Sequence, residues 1–274
     1  MNKNELVLDR VRSLTFHELN DGRMLFRLTN LEDPSLNCTA EGDEVTDAVG
    51  ALITTLYRAK KATFGATNSL ISLDLAAAQY GTQKVVATSS KKIVDYAYEI
   101  LSVDSTTHKV TLTHTPNVEI KYIYGIADRE IGDTYEAAET AGTVNFVHAI
   151  TGTGVNPKEI TCGTSITGKV FVEYTYENEE AVSVRNVASK FPEAGSLIVY
   201  AYFRDRCDEN TIYSGKIIAK KAKLNPEQVE LALTSTGKHA FEFNIFSDYC
   251  DEEDDELFDI IVSDPSEDEE EENG

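Results

Sequence analysis

The segment Gly163-Thr164-Ser165-Ile166-Thr167-Gly168-Lys169-Val170 is the part of the sequence nearest to a chemical motif. It is one residue short of a phosphate-binding loop. Such a loop needs Ser or Thr after its lysine to reach magnesium, and it must open a helix whose first amides cradle phosphate. Here Val170 follows Lys169, and VFVEYTYE alternates as a strand does. These residues are read instead as a β-hairpin turn closing on Lys169.

The other reactive residue types do not converge. His17, His108, His114, His148 and His239 are isolated, and none lies at metal-ligand spacing from another. Cys38, Cys162, Cys207 and Cys250 are far apart and form no CxxC pair, so free thiols are expected. Cys207 and Cys250 each close a strand candidate, which makes them candidates for near neighbours. The run Asp251 to Glu256 lacks the glycine and alternating ligands of a calcium loop and reads as a solvated acidic segment. Lys216, Lys220, Lys221 and Lys223 cluster on one strand candidate. That cluster suits phosphate, acids of a neighbouring subunit, or the guarding of an exposed strand edge. The expectation is a protein that is not an enzyme and takes no cofactor or metal.

Charge narrows the partners. Net charge is -22 over 274 residues, but 14 of the 47 acids lie between Asp251 and Gly274. The first 250 residues hold the other 33 acids and all 25 bases, a net of -8. The terminus SEDEEEENG cannot bury apolar surface, so residues 263-274 are expected to be a disordered acidic tail. The balance argues against tight nucleic-acid binding, which needs basic surface. No apolar run is long enough to span a bilayer. MNKNELVLDRV carries no signal-peptide apolar segment, so the protein is expected to be made and used in the cytoplasm, or assembled there and released later.

Strand signals dominate the elements that must carry these residues. Between Ser196 and Asp248, period-2 apolar alternation surrounds Gly-bearing turns, as in a β-meander. Within it VELAL suits a strand, although Asn225-Pro226-Glu227 also suits a helix start. Leu6 to Phe16 and Met24 to Leu28 read as strands joined at Asn20-Asp21-Gly22, and Leu52 to Phe64 as another. LFDIIV, Leu257 to Val262, reads as a last strand. Residues 30-50, polar and holding Pro34, Gly42 and Gly50, read as a long loop. One helix is expected in LISLDLAAAQY, capped by Asn68 or Ser69 and ended by Gly81, with Leu70, Leu73 and Ala77 on one face. From residue 82, short strand candidates recur: KKIVDYAYEILSV, KVTLTHT, VEIKYIYGI, TVNFVHAI, KEITC and KVFVEYTYE. They suggest a small antiparallel sandwich inserted into a larger domain. The fold class expected is mainly β: an antiparallel β-sandwich or barrel with one flanking α-helix plus the inserted small β-sandwich. The domains expected are 1-81 and 181-262 for the split larger domain, with 82-180 for the insert.

Three stretches carry a resemblance. They are GDEVTDAVGALITTLYRAKKATFGATNSLISLDLAAAQYGT; VTLTHTP with the Gly-rich turn and VFVEYTY; and KFPEAGSLIVYAYFRDRCDENTIYSGKIIAKKAKL with ALTSTGKHAFEFNIFSDYC. In them the chain resembles the tail tube (major tail) proteins of tailed bacteriophages. The resemblance implies a virion protein whose six copies close into rings by joining sheets, with rings stacking through long loops. It also implies a tube that encloses a tape-measure protein, meets tube-end proteins and lets DNA pass without binding it specifically, with no membrane partner. The extra length here implies an added domain. Residues 30-50 are then the natural inter-subunit loop, with Glu41, Asp43, Glu44 and Asp47 as its candidate contacts. A conduit for DNA should repel phosphate, and an acidic subunit meets that requirement. A head decoration or neck/connector protein is the alternative. A DNA mimic fits less well, because its acids would have to lie on a folded face.

Overall fold

The computed structural model describes residues 5–206, 211–227, 229–233, 237–247 and 255–263. The acidic tail beyond residue 263, Cys207, Cys250, most of the run 251–256 and half of the Ser235–Lys238 turn lie outside them. The N-terminal elements are β1 (Leu6–Glu18), β2 (Met24–Leu28), β3 (Leu31–Thr46), β4 (Leu52–Asn68) and α1 (Leu73–Gln79). Next come β5 (Val85–Val86), β6 (Ile93–Ser102), β7 (Lys109–Thr111), β8 (Tyr122–Ala127) and β9 (Glu130–Glu136). They are followed by β10 (Phe146–His148), β11 (Glu159–Cys162), β12 (Lys169–Asn178) and β13 (Val182–Ser183). The last are β14 (Ala194–Asp205), β15 (Ile212–Leu224), β16 (Glu230–Leu231), β17 (His239–Phe246) and β18 (Asp259–Ser263). Strands are antiparallel throughout, and the fold is mainly β with one helix.

The chain divides into two compact units, one from residues 1–84 with 184–274 and one from residues 85–183. In the first, a single sheet runs in the order β2-β1-β14-β15-β17-β4-β3. β16 adds to β17 and β18 to β15. Alternation explains the burial: Leu197, Val199 and Ala201 point inward while Ile198 and Tyr200 are only half buried. Leu197 and Val199 form one core with Leu14, Phe64, Phe241 and Leu75 of the helix. Phe16 sits at its centre, 5.5 Å from the Phe26 ring and 5.0 Å from the Phe243 ring. β15 lies between β14 on one side and β17 and β18 on the other. The lysine cluster therefore does not guard a sheet edge, since β15 is paired on both sides.

Two local expectations are corrected. The helix starts at Leu73 with Ser72 as its N-cap, whose hydroxyl accepts from the Leu75 amide, rather than at Asn68 or Ser69. Asn68 is still in β4, opposite His239, because ladder pairing holds it extended. The buried face is Leu75, Ala76, Ala77 and Gln79, while Leu70 and Leu73 are exposed. VELAL contributes only the two-residue strand β16.

The second unit faces a four-stranded sheet, β6-β12-β8-β9, with a three-stranded sheet, β10-β11-β7. Val170, Val172 and Ile123 of the first meet Val110, Phe146 and Ile160 of the second in a separate core. β9 was not anticipated, because EIGDTYE has almost no apolar alternation and its residues are nearly all exposed. The ends of the unit are joined by β5 and β13, with Val86 opposite Val182 and Val85 opposite Ser183.

Candidate assembly surface

Residues 30–50 are not a loop. Leu31–Thr46 forms β3, which pairs with β4 from Leu31↔Asn68 to Thr46↔Leu52. β17 follows β4 only between Asn68 and Ala62. Beyond that point β3 and β4 continue as a two-stranded ribbon without a third strand among the described residues. The segment of β4 from Leu52 to Lys61, at ~3.4 Å per residue, carries the ribbon roughly 30 Å past the sheet. Bulges at Asp33 and Ala59, both at φ 48, interrupt the register, and Pro34 falls in the first, where its missing N–H costs no ladder bond.

The acids singled out from sequence shape this ribbon. Glu41 receives a 2.6 Å contact from Lys61 on the facing strand, and that hydrogen bond holds its carboxyl below the usual range. Asp43 pairs with Arg58 at 3.0 Å. Asp47 makes the turn: its carboxylate accepts from the amides of Val49 and Ala51 at 2.9 and 2.8 Å, and Gly50 follows at φ +84. Glu44 is exposed opposite Thr55. Two of the four acids are thus engaged within their own ribbon and a third holds its tip.

Sequence reasoning missed the apolar side chains. Val45, Leu52, Ile53, Leu56 and Tyr57 are exposed along the ribbon, Tyr57 at 74% and Val49 at the tip at 88%. A two-stranded ribbon is marginal by itself in water. Contiguous exposed apolar residues of this kind are a common mark of interaction surfaces. The signal is present in LITTLY, but the sequence reading of Leu52 to Phe64 as a strand does not say which of its faces is covered. Among the described residues no strand pairs with the outer edge of β3, and β1 from Leu6 to Ser13 pairs with β14 alone. Open edges invite pairing with another chain.

The motif-like segment at 163–170 is structural. It joins β11 of one sheet to β12 of the other, so it is not a hairpin turn. A Cβ at Gly163 would lie 2.6 Å from the carbonyl oxygens of Thr143 and Asn145. The glycine is thus required by close backbone approach, and Ile166 is fully buried in the core. Lys169 starts a strand, not a helix. The histidines remain apart. His148 accepts from the Ile120 amide at Nδ1 (3.1 Å) and donates from Nε2 to the Pro157 carbonyl (3.0 Å). His114 stacks on Tyr176 at 4.0 Å. His239 is buried against Gln79. Among the described residues no group of three or more His, Cys, Asp or Glu is placed to hold a metal. Burial pushes the Cys162 thiol up to about 11, so it is inert at neutral pH. No helix among the described residues is long and apolar enough to cross a membrane.

On the sheet face opposite the core, register places Arg10, Arg27, Lys216, Lys221 and Lys223 with Glu242 and Asp259. That face is of mixed sign, unlike the uniformly acidic C-terminal tail.

The described residues thus form a sheet extended by a two-stranded ribbon that has no third strand among them. The model of the YomU/Tube protein family matches residues 6–258. The chain belongs to the YomU/Tube protein family. This is a phage-type tube family, in keeping with the resemblance to tail tube proteins. Membership of the tube family makes the chain a tube-type structural protein and a component of the virion tail. The match spans both units, so the inserted sandwich belongs to this tube protein as much as the sheet does. Among curated proteins the sequence has no match.

Proposed function

We propose that this tube-family protein self-assembles into hexameric rings that stack into the phage tail tube, a conduit for DNA ejection, and that it catalyses no reaction. The observation that carries this reading is the β3–β4 ribbon. Its length past the sheet, its exposed Leu52, Ile53, Leu56 and Tyr57, and its lack of a third strand suit an arm that docks on a neighbouring copy. Ring closure is a heterologous contact, in which an edge of one subunit meets a different edge of the next. The outer edge of β3 and the stretch of β1 that pairs with β14 alone among the described residues supply two such edges. Its other partners in this reading are a tape-measure protein inside the tube and proteins at the tube ends. DNA passes transiently, without specific binding, because the net charge is -22 and bases are few.

Negative-stain electron microscopy and light scattering of the full chain test this reading. Hollow tubes or rings are expected. A variant whose ribbon is cut back to a short turn between Thr39 and Lys61 should remain folded and monomeric. A full chain that stays monomeric at high concentration yet binds capsids would overturn the proposal in favour of a head or neck component.

A further inference from the structure

The four-stranded sheet of the 85–183 unit has an outer face that the described residues leave exposed. β6 alternates without a break: Val94, Tyr96, Tyr98 and Ile100 are exposed, with Tyr96 and Tyr98 at 73% each. The neighbouring β12 places Phe171 opposite Ile100, and the Phe171 ring lies 6.0 Å from Tyr98 and 6.2 Å from Tyr124. Aromatic rings thus run across three adjacent strands on one face.

Beside this row the sheet opens. β12 and β8 pair from Lys169↔Ile126 to Phe171↔Tyr124 and then separate. They meet again where the Asn117 amide donates to the Thr175 carbonyl at 3.0 Å. Between these points β12 advances from 171 to 175 while the other chain segment runs from 124 back to 117. The longer segment bows outward and leaves a groove of about 260 Å³. Its walls are Tyr96, Tyr122, Tyr124, Glu119, Lys121 and Glu173. Its floor is Ile120 and Tyr174, which face the core and are held by it. The Ile120 amide is fixed by His148, so the outward bow is anchored rather than loose.

We infer that this groove is a binding site for a neutral saccharide unit of a glycan. A sugar ring offers two chemistries at once: a C–H face that packs on an aromatic ring, and hydroxyls around its rim that give and take hydrogen bonds. The groove offers the matching pair, with tyrosine faces on the walls and two carboxylates and an ammonium at the rim. The volume is below the ~300–1,000 Å³ of clefts for drug-sized ligands, which suits one ring of a longer chain and not a nucleotide cofactor. Two glutamates against one lysine disfavour phosphate, so a nucleic acid or a phosphate-rich polymer is not the occupant. Groove and platform lie wholly in the inserted unit, and the inference does not depend on how the protein assembles.

The chain contains 13 tyrosines and no tryptophan, so tyrosine fluorescence reports directly on such a face. The full chain is titrated with chitotriose, cellotriose and maltotriose to roughly 10 mM, where a site of ~1 mM affinity is about nine-tenths filled. A saturable change with at least one of them is expected, together with saturation-transfer NMR signals from the sugar C–H protons. Tyr96→Ala and Tyr122→Ala should each weaken binding about tenfold or more, while Tyr96→Phe, which keeps the ring face, should retain it. Tyr96 is exposed, so its variants should melt with the parent in circular dichroism. The inference is overturned by no saturable response to any of the three sugars, by a response unchanged in both alanine variants, or by a loss that Tyr96→Phe does not restore. A change of oligomeric state in Tyr96→Ala without any sugar response would instead assign the face to a protein contact and equally overturn it.

Discussion

The ring of Tyr57 lies across the α-carbon of Gly42, its register partner on the facing strand of the ribbon. A Cβ at Gly42 would stand 3.2 Å from the Tyr57 ring and 3.0 Å from Thr55 Cγ2. An aromatic ring laid over a cross-strand glycine supplies the packing that the glycine lacks. Gly42→Val should therefore push Tyr57 off the ribbon. Because this segment lies outside the core, global stability should change by less than ~0.5 kcal/mol, while assembly should fall sharply. Thermal melts and light scattering on the same samples check both halves.

Tyr57→Ser combined with Leu52→Ser should act alike through a different cause. These side chains are exposed in the single chain, so their loss costs the subunit little. If they are buried between copies, each removes apolar area worth ~25 cal/mol per Å² from the contact. Sedimentation velocity should show monomers at concentrations where the parent forms larger species.

His239 should make the larger unit lose stability in acid. The Gln79 side-chain amide donates to the Ala240 carbonyl at 3.1 Å, which turns the Gln79 Oε1 toward His239. Nε2 of His239 is therefore its protonated nitrogen, and the buried Nδ1 has no hydrogen-bond partner among the described residues. A second proton would place a charge there without an acceptor, and burial lowers the pKa from 6.5 to about 4. The unfolded chain takes up that proton first. Stability from this group is therefore full above about 6.5 and is lost progressively as pH falls toward about 4. The loss is on the order of 3 kcal/mol at ~1.4 kcal/mol per pKa unit. Denaturant melts between pH 7 and pH 4 should show a steeper decline for the parent than for His239→Leu.

Gly163→Ala and Lys169→Ala separate a packing role from a phosphate-binding one. The first drives a methyl group into backbone carbonyls and should destabilise the 85–183 unit by several kcal/mol, about the scale of core overpacking. The second alters an exposed side chain at a strand end and should change stability by less than ~0.5 kcal/mol. Calorimetry of both variants gives the order; a phosphate loop would instead show nucleotide affinity that Lys169→Ala removes.

Glu99 is held in the same unit by Tyr174, whose hydroxyl donates to it, and by the backbone amide and hydroxyl of Thr113. Partial burial works against the charged form, yet these donors outweigh it and keep the carboxyl below its usual range. Tyr174→Phe should cost about 1–2 kcal/mol, as expected for a hydrogen bond to a charged group. The deficit should shrink in acid, as Glu99 takes up a proton in the parent. Unfolding monitored at neutral and acid pH tests this.

The paired strands β1 and β2 and the meander β14, β15 and β17 were legible because each buries one face on a core and so alternates in sequence. The ribbon was not. In β3 only Leu31 and Leu36 pack against the core and the rest is almost wholly exposed, so its sixteen residues carry no alternation, and Pro34, Gly42 and Gly50 resemble loop punctuation. The helix start was misplaced because Asn68, Ser69 and Ser72 are all good caps, and only the pairing of Asn68 with His239 decides among them. The tyrosines of β6 were read as strand residues, which they are. That Tyr96 lines a groove depends on β8 parting from β12 beyond Tyr124, and no local pattern announces it. The glycines and lysine of 163–170 matched a motif by type while their geometry answers to packing.

The two rungs between β5 and β13 bring the entry and exit of the 85–183 unit to adjacent backbone positions. A unit that leaves and rejoins its chain at one spot closes a loop of fixed, short span whatever its own length. The rest of the chain then experiences the whole insert as little more than a tight turn. Such a position is a natural socket. A different folded module with closely spaced termini, an enzyme or a fluorescent protein for instance, should be exchangeable at Val85 and Ser183, with its spacing in any assembled lattice set by the subunit and not by the cargo.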